Sequence, residues 1–185
     1  FLPLVEYLEK ETNLEIEFTP VTDYAAVVEA LVSKKIDMAW LGGFTFVQAY
    51  KRSKGNIIPI IQRERDKKFK SVFITNKDSN IKNLVDLENK TFSFGSPSST
   101  SGHLMPRYFL MEENIIPEKF FNKIAYSGAH DATIFSVLGK KVDAGALNIS
   151  VWENFKKKNL KIKNNLNVFF TTPDYFDYNW SIRSD

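Results

Sequence analysis

The sequence predicts an α/β fold in which short strands alternate with amphipathic helices along 185 residues. Short apolar runs, typical of buried strands, are separated by segments whose apolar residues recur at helical spacing. Gly, Asn, Ser and Asp cluster at the junctions, where turns are expected. A hydrophobic content of 43% with 14% aromatic residues indicates a globular chain with a substantial core.

In the first part of the chain, each predicted strand follows a predicted helix. Leu4, Val5 and Leu8, together with Phe1, form the apolar face of the opening helix. The second helix begins at Thr22 or Asp23, since both residue types are good N-caps. We predict helices over 3–12, 23–33 and 44–52 and strands over 14–19, 36–41, 57–62 and 69–76.

The same alternation continues to residue 171. Pro106 is expected to bend its helix, and Gly139 to end the helix that precedes it. We predict strands over 91–95, 123–126, 142–147 and 166–171, a helical turn over 84–87, and helices over 104–113, 117–121, 131–138 and 151–158. Such alternation predicts parallel sheets flanked by helices.

Two distant segments of the chain resemble each other. Residues 30–41 and residues 136–147 both read as the end of a helix, a short basic turn and a strand that opens on Asp. The similarity favours two lobes of similar construction. The alternative is that both segments show the ordinary chemistry of a helix-to-strand turn.

A run of hydroxyl residues follows the strand predicted over 91–95. Ser98, Ser99, Thr100 and Ser101 stand where the next helix begins. The first N–H groups of a helix lack backbone acceptors, and the helix dipole adds partial positive charge there. A tetrahedral oxyanion would therefore find several donors at this place without any Lys or Arg. The alternative is that Ser99 or Thr100 is only an N-cap.

Four predicted strand ends carry unusual residues. They are 40–44, 95–101, 127–131 and 147–150. In open parallel sheets, ligands bind beyond the carboxyl ends of the strands. Two lobes whose strand ends face each other would form a cleft at this place.

Each candidate side chain also has an ordinary structural interpretation. His130 precedes a helix and either belongs to its first turn or donates to an anion across the cleft. Tyr24 either reaches a ligand with its hydroxyl or packs in a core, and Trp40 is either cleft wall or core. Asp131 suits the dipole of its own helix. His103 is expected to be a surface or packing residue.

Several function classes are excluded or disfavoured. The net charge of +3 is small and its lysines are scattered, so no nucleic-acid partner is expected. Without cysteine and with two histidines, the chain cannot build a disulfide scaffold or a multi-histidine metal centre. No apolar run approaches the ~20 residues that span a bilayer. The phosphate-loop, dinucleotide and Gly-x-Ser-x-Gly patterns are missing, so we expect binding without catalysis, metal or cofactor.

Several separated segments resemble the phosphonate-binding family of ABC-transporter substrate-binding proteins. The segments are Thr22-Asp23-Tyr24, Lys35-Ile36-Asp37-Met38-Ala39-Trp40, Pro97-Ser98-Ser99-Thr100-Ser101-Gly102, Gly128-Ala129-His130-Asp131 and Val142-Asp143-Ala144-Gly145-Ala146. The resemblance implies a type II periplasmic-binding-protein fold truncated at both ends. It places lobe 1 at 1–72 with 174–185 and lobe 2 at 73–173. The first strand, the final helices and a signal peptide or lipid anchor are then expected outside this sequence.

The resemblance also implies which residues bind the ligand. Ser99, Thr100 and Ser101 match the family's anion-binding hydroxyls, while His130 matches a histidine of the same lobe. Tyr24 matches a tyrosine of the opposite lobe, and a ligand-facing aspartate corresponds to Asp177 with an alignment that is looser by one residue. A second tier is expected to line the same cleft: Trp40, Gly43, Phe69 and Asn148.

Two departures from the family pattern narrow the range of expected ligands. Phe69 stands near the place where some members have a second tyrosine, and Ser150 stands where members that bind an amine have a carboxylate. A buried ammonium without a carboxylate would cost several kcal/mol, so we expect phosphite, methylphosphonate or another small oxyanion. Asp177 would repel an anion unless a proton lies between them, which predicts a preference for the monoanion.

The expected function is that of the substrate-binding component of an ABC transporter. The expected partner is the ABC permease, which together with a lipid anchor would be the chain's only membrane contact. A monomer is expected at the periplasmic or extracellular face of the cytoplasmic membrane. The alternative of another class is an extracytoplasmic sensing domain of a histidine kinase or chemoreceptor, and an esterase that uses Ser99 ranks third.

Overall fold

A computed structural model describes residues 2–185 of the chain. Phe1, which was expected on the apolar face of the first helix, lies outside the described residues. The helices are α1 (Leu2–Thr12), α2 (Tyr24–Val32), α3 (Gly43–Arg52), α4 (Met105–Glu112), α5 (Pro117–Phe120), α6 (His130–Leu138), α7 (Ile149–Lys158) and α8 (Leu160–Asn165). Short 3-10 turns cover Glu64–Lys68 and Val85–Leu87, and a π-helical turn covers Thr100–Leu104.

The strands form two sheets. Their bounds are β1 (Met38–Leu41), β2 (Ile57–Ile61), β3 (Ser71–Asn76), β4 (Thr91–Phe94), β5 (Lys123–Tyr126), β6 (Ala144–Asn148), β7 (Leu166–Thr171) and β8 (Asn179–Arg183). The smaller sheet has the order β1-β8-β2, and the larger one has the order β5-β4-β6-β3-β7. The last strand of the chain is thus the centre of the smaller sheet.

The prediction of parallel sheets is wrong for most strand pairs. Only β4 pairs in parallel, with β5 on one side and β6 on the other. The pairs β1–β8, β2–β8, β3–β6 and β3–β7 are antiparallel. Alternation of helices and strands favours parallel neighbours only when consecutive strands pair, and here β7 and β8 pair with strands from much earlier in the chain.

Three local predictions also need correction. The strand predicted over 14–19 is not formed, and the apolar side chains of Leu14 and Phe18 remain exposed instead of packing in a sheet. The helix predicted to begin at Leu104 begins earlier, as the π-helical turn over Thr100–Leu104, and α4 follows it with Pro106 near its start. A helix over Leu160–Asn165 and the strand β8 were not predicted.

The similarity between residues 30–41 and 136–147 is a shared turn. After α2, the N–H of Lys35 donates to the Ala30 carbonyl at 2.8 Å, and Lys34 has a φ of 61°. After α6, the equivalent bond from Lys141 to Ser136 measures 2.9 Å. The same turn follows α3, where the sequence similarity does not extend, so it is ordinary helix-to-strand chemistry.

Aromatic packing fills one side of the larger sheet. Phe73 on the interior strand β3 is fully buried, and its ring lies 5.6 Å from the ring of Phe92 and 5.3 Å from that of Phe170. The other side of this sheet packs around Trp152, and a separate cluster around Leu41 lies in the smaller sheet. No helix within residues 2–185 has both the length and the apolarity to cross a bilayer.

Gly145 sits at the tightest point of the larger sheet. A Cβ at this position would lie 2.6 Å from Cγ2 of Thr133 and 3.0 Å from the Ser93 carbonyl oxygen. We expect Gly145→Ala to lower the free energy of unfolding by roughly 1–3 kcal/mol, because the core must shift. Adding Thr133→Ser removes the nearest methyl and should recover part of the loss in urea unfolding. Additive losses in the double variant would contradict this explanation.

Candidate functional site

Three strand ends of the larger sheet meet at one edge. β5 and β6 both run parallel to β4, so the residues that follow the three strands lie on the same side. The hydroxyl segment follows β4, His130 comes four residues after β5 and starts α6, and Asn148 ends β6. This part of the predicted cleft edge is present in the structure.

The three hydroxyls of the segment play different roles. Ser99 caps the π-helical turn, with its Oγ accepting the Gly102 N–H at 3.0 Å, so the capping interpretation holds for this residue. Thr100 Oγ1 instead accepts an N–H from α3. Ser101 Oγ is buried and has no hydrogen-bond partner. The amides of Thr100 and Ser101 lie in the first turn, where a helix supplies no acceptor.

The amino end of α3 joins the hydroxyl segment to the end of the chain. The Gly43 N–H donates to Asp177 Oδ1 and the Phe44 N–H donates to Thr100 Oγ1, both at 3.0 Å. A Cβ on Gly42 would lie 2.9 Å from Thr100 Oγ1 and 3.2 Å from Asp177 Oδ1. Gly42, which sequence reasoning did not select, therefore allows this close approach.

Asp177 is a buried carboxylate with one unpaired oxygen. Its side chain is 2% exposed, and Oδ2 has no hydrogen-bond partner. Burial raises the pKa of Asp177 to about 6, although the Gly43 N–H and the Thr100 hydroxyl oppose this shift. An ionised carboxylate oxygen can only accept hydrogen bonds, so the buried Oδ2 of Asp177 needs a donor that it does not have.

His130 and Tyr24 meet opposite the hydroxyl segment. The Tyr24 hydroxyl lies 3.3 Å from Nε2 of His130, and the Asn148 N–H donates to Nδ1 at 3.4 Å. A neutral ring that accepts at Nδ1 carries its proton on Nε2. Burial lowers the pKa of His130 to about 4, so Nε2–H is a neutral donor at pH 7. Burial also raises the pKa of Tyr24, and the neighbouring Ser99 hydroxyl opposes that shift.

Tyr178 belongs to the same cluster, and sequence reasoning missed it. Its hydroxyl accepts from Nδ2 of Asn148 at 3.4 Å. Its ring stacks on Trp40 with 5.6 Å between centroids and meets the ring of Phe69 edge-on at 5.5 Å. Its position next to Asp177 was the available signal, since neighbouring residues of an extended segment can reach the same site.

The second-tier residues have mainly supporting positions. Asn148 Oδ1 caps α7 by accepting the N–H groups of Ser150 and Val151, which leaves its amide nitrogen for Tyr178. Phe69 is 7% exposed and contributes an apolar ring. Trp40 supports Tyr178, and Gly43 binds Asp177 through its backbone. The structure thus brings all the predicted residues into one region.

The arrangement suits binding of an anion better than catalysis. Within residues 2–185, His130 hydrogen-bonds with the Tyr24 hydroxyl and the Asn148 N–H rather than with Ser99. In the same part of the chain, no group of three or more His, Cys, Asp or Glu could hold a metal ion. The cluster contains hydroxyl, imidazole and amide groups together with one buried carboxylate oxygen that has no partner. This set of groups matches a tetrahedral oxyanion that carries one proton.

Known proteins resemble this chain over most of its length. The model of the family described as ABC transporter, phosphonate, periplasmic substrate-binding protein matches residues 1–185. A protein of Prochlorococcus marinus (strain MIT 9301), named as a probable ABC transporter phosphite binding protein, PhnD1, is 45% identical over 96% of this chain. The chain spans 62% of that relative's length.

A second relative and a solved structure agree with this match. The phosphonates-binding periplasmic protein of Escherichia coli K12 is 30% identical over 92% of this chain and 52% of its own length. The structure of PhnD1 from Prochlorococcus marinus with methylphosphonate superimposes with a TM-score of 0.89 at 42% identity, covering 98% of this chain and 69% of that one. The fold is therefore that of type II periplasmic binding proteins, and the chain belongs to the phosphonate-binding family of ABC-transporter substrate-binding proteins.

Proposed function

We propose that this chain binds a small phosphorus oxyanion, namely phosphite, methylphosphonate or another phosphonate, for an ABC transporter. The relatives named for phosphite and phosphonates support this ligand class. The proposed site is the cluster of Tyr24, Ser99–Ser101, His130 and Asp177. It lies between lobe 1, residues 1–72 with 174–185, and lobe 2, residues 73–173.

The unpaired Oδ2 of Asp177 carries the proposal. It is a buried acceptor without a donor. A fully deprotonated oxyanion beside it would bring two negative charges together, at a cost that grows in a buried site. A P–OH group on a monoanion supplies the missing donor, and its other oxygens accept from Thr100, Ser101 and His130.

Contacts across the proposed lobe boundary support a site that closes on its ligand. Tyr24 of lobe 1 meets His130 of lobe 2, and the Phe44 N–H of lobe 1 donates to Thr100 of lobe 2. Both contacts use groups proposed to bind the oxyanion. Ligand binding and the approach of the lobes would then involve the same hydrogen bonds.

The ligand is expected to lack an amine. Ser150, at the position where a carboxylate would pair an ammonium group, is exposed, and its N–H is used in the cap of α7. The buried carboxylate Asp66 is already paired with Arg63. A buried ammonium would therefore find no free charged partner except Asp177, which the phosphorus hydroxyl needs.

Calorimetric titration across pH tests this function. We expect phosphite and methylphosphonate to bind, with affinity falling as pH rises and the ligand loses its last proton. Sulfate, which keeps no proton at neutral pH, should bind at least about a hundredfold more weakly, the loss expected for a charged hydrogen bond replaced by repulsion. Inorganic phosphate serves as the control, because it has about the size of sulfate but keeps a proton at neutral pH. Equal affinity at all pH values, or tight sulfate binding, would contradict the proposal.

The proposed ligand also suggests a partner, a location and a non-catalytic role for the chain. We propose that the chain hands its oxyanion to an ABC permease at the periplasmic or extracellular face of the membrane. It would act there as a monomer and without catalysis or cofactor. Unchanged phosphonate after prolonged incubation, followed by phosphorus NMR, is the expected result. Release of inorganic phosphate would revive the enzyme alternative.

A further inference from the structure

We infer that the ring of Tyr178 is a partition that limits the size of the substituent on phosphorus. This inference rests on the proposed function. One side of the ring faces the oxyanion site, and the other side forms the wall of a separate groove. The partition would admit phosphite and methylphosphonate and exclude phosphonates with bulky substituents.

Several contacts place Tyr178 at the oxyanion site. Its hydroxyl accepts from Asn148 Nδ2 at 3.4 Å, and Asn148 is also the residue whose N–H orients His130. It directly follows Asp177 in the chain. Burial raises its pKa strongly, and the charges of Tyr24 and Asp177 add to that shift, as expected for a phenol close to both.

The other side of the ring opens to a groove of about 380 Å³. The groove is lined by Trp40, Arg63, Tyr178 and Trp180. All four residues are half-buried, so their side chains are reachable from solvent. Tyr178 is the member of this lining that also belongs to the oxyanion cluster. Removing its ring would therefore connect the groove with the proposed site.

The chemistry of the groove suits an apolar or aromatic group. Three of the four lining side chains are aromatic, and the guanidinium carbon of Arg63 lies 4.1 Å from the centroid of Trp40. Arg63 donates through Nε and Nη2 to the buried Asp66 at 2.5 and 2.9 Å, so its charge is compensated. A phenyl group could stack there as the guanidinium does.

Three contacts hold the partition in place. Trp40 stacks on one face of the Tyr178 ring with an interplanar angle of 22°. The Phe69 ring meets it edge-on at 78°, and Asn148 holds the hydroxyl. A ring fixed at both its face and its tip does not swing aside without losing packing. The size limit is thus built into the packing of the fold.

Affinity measurements with three probes test this inference. Phosphite, methylphosphonate and phenylphosphonate are titrated into the wild type, Tyr178→Ala and Tyr178→Phe. We expect Tyr178→Ala to shift the preference for phenylphosphonate over methylphosphonate by at least about tenfold, because the groove then accepts the ring. Tyr178→Phe keeps the partition and should keep the wild-type ranking. Tyr178→Leu, which shortens the side chain with less loss of packing, should repeat the shift if Tyr178→Ala does not fold.

The outcomes separate this inference from the proposed function. Binding of phosphite by the wild type without a shift in Tyr178→Ala and Tyr178→Leu would overturn the partition. Loss of phosphite binding in both variants would also overturn it, because Tyr178 would then be part of the anion site itself. A wild type that binds none of the three probes would overturn the proposed function first.

Discussion

Asp177→Asn should weaken binding of a protonated oxyanion by about ten- to a hundredfold and reverse its pH dependence. The Asn oxygen can still accept from the Gly43 N–H, so the amino end of α3 keeps its partner. The amide nitrogen, however, donates where Oδ2 accepted, and the P–OH group loses its acceptor. A hydrogen bond to a charged group contributes about 1.5–3 kcal/mol, which sets the expected loss.

The pH dependence of the affinity reverses because the substitution replaces a hydrogen-bond acceptor with a donor. In the wild type the complex needs one proton between carboxylate and ligand, so affinity falls as pH rises. In Asp177→Asn the amide favours the fully deprotonated ligand, so affinity should rise with pH and sulfate should become a ligand. Calorimetry of both proteins with phosphite and sulfate, at pH values on either side of the ligand's last dissociation, measures this. Wild-type pH dependence in the variant would show that Asp177 does not share the proton.

The same substitution should stabilise the unliganded protein at high pH. Because burial raises the pKa of Asp177 to about 6 from 3.8, its contribution to stability is fully present below pH 3.8 and is lost as pH rises through 6. Above pH 6 the native state therefore bears a buried charge that costs about 2–3 kcal/mol. Asp177→Asn should unfold at a higher temperature at pH 8, with the difference shrinking toward pH 4. The exposed Asp174→Asn is the matched control and should change neither property.

Thr100→Ala is expected to weaken oxyanion binding by roughly ten- to a hundredfold. Thr100 is 5% exposed, and its hydroxyl is the acceptor for the Phe44 N–H that joins α3 to the hydroxyl segment. The variant loses a donor to the charged ligand and leaves a backbone N–H of α3 without a partner. Isothermal titration with phosphite measures the first effect, and urea unfolding measures the second.

Two matched variants show whether the hydroxyl is responsible. Thr100→Ser keeps the Oγ and should stay within a few-fold of wild-type affinity. Ser98→Ala removes a neighbouring hydroxyl whose contact is the 3.5 Å bond from Gln48, and it should have little effect. If Thr100→Ala binds as tightly as the wild type, Thr100 does not belong to the site.

Much of the candidate site could be proposed from the sequence because its residues lie in short, recognisable segments. The hydroxyl run follows a strand and precedes a helix, so the physics of a helix start already indicates an anion site there. His130 has the same kind of position after another strand. Asp177 was reached only through resemblance to the family, because a single Asp in an aromatic segment has no local pattern that marks it.

Other parts of the site depend on which segments meet in space. Gly42 has a role in the cluster because the side chains of Thr100 and Asp177 pack against its Cα, where a Cβ would not fit. Nothing near residue 42 in the sequence indicates either neighbour. Tyr178 joins the cluster because its ring stacks on Trp40 and its hydroxyl accepts from Asn148. Whether Ser99 caps the turn depends on the geometry of that turn, and in the structure its Oγ accepts the Gly102 N–H.

The same distinction between local and long-range information applies to the fold. The helix positions and most strands could be predicted from local periodicity, because the spacing of apolar residues along the chain indicates which face of an element is buried. Pairing is not local, which is why the order β1-β8-β2, the antiparallel neighbours of β3 and the irregular conformation of residues 14–19 were not foreseen.

The amino-acid sequence alone determined the α/β class, the position of most elements and the hydroxyl-rich helix start, because these depend on neighbours within a few residues. Only the tertiary structure decided that Asp177 keeps a buried oxygen without a hydrogen-bond partner while its other oxygen accepts the Gly43 N–H. The physical reason is that desolvation and hydrogen-bond satisfaction belong to atoms brought together from distant parts of the chain.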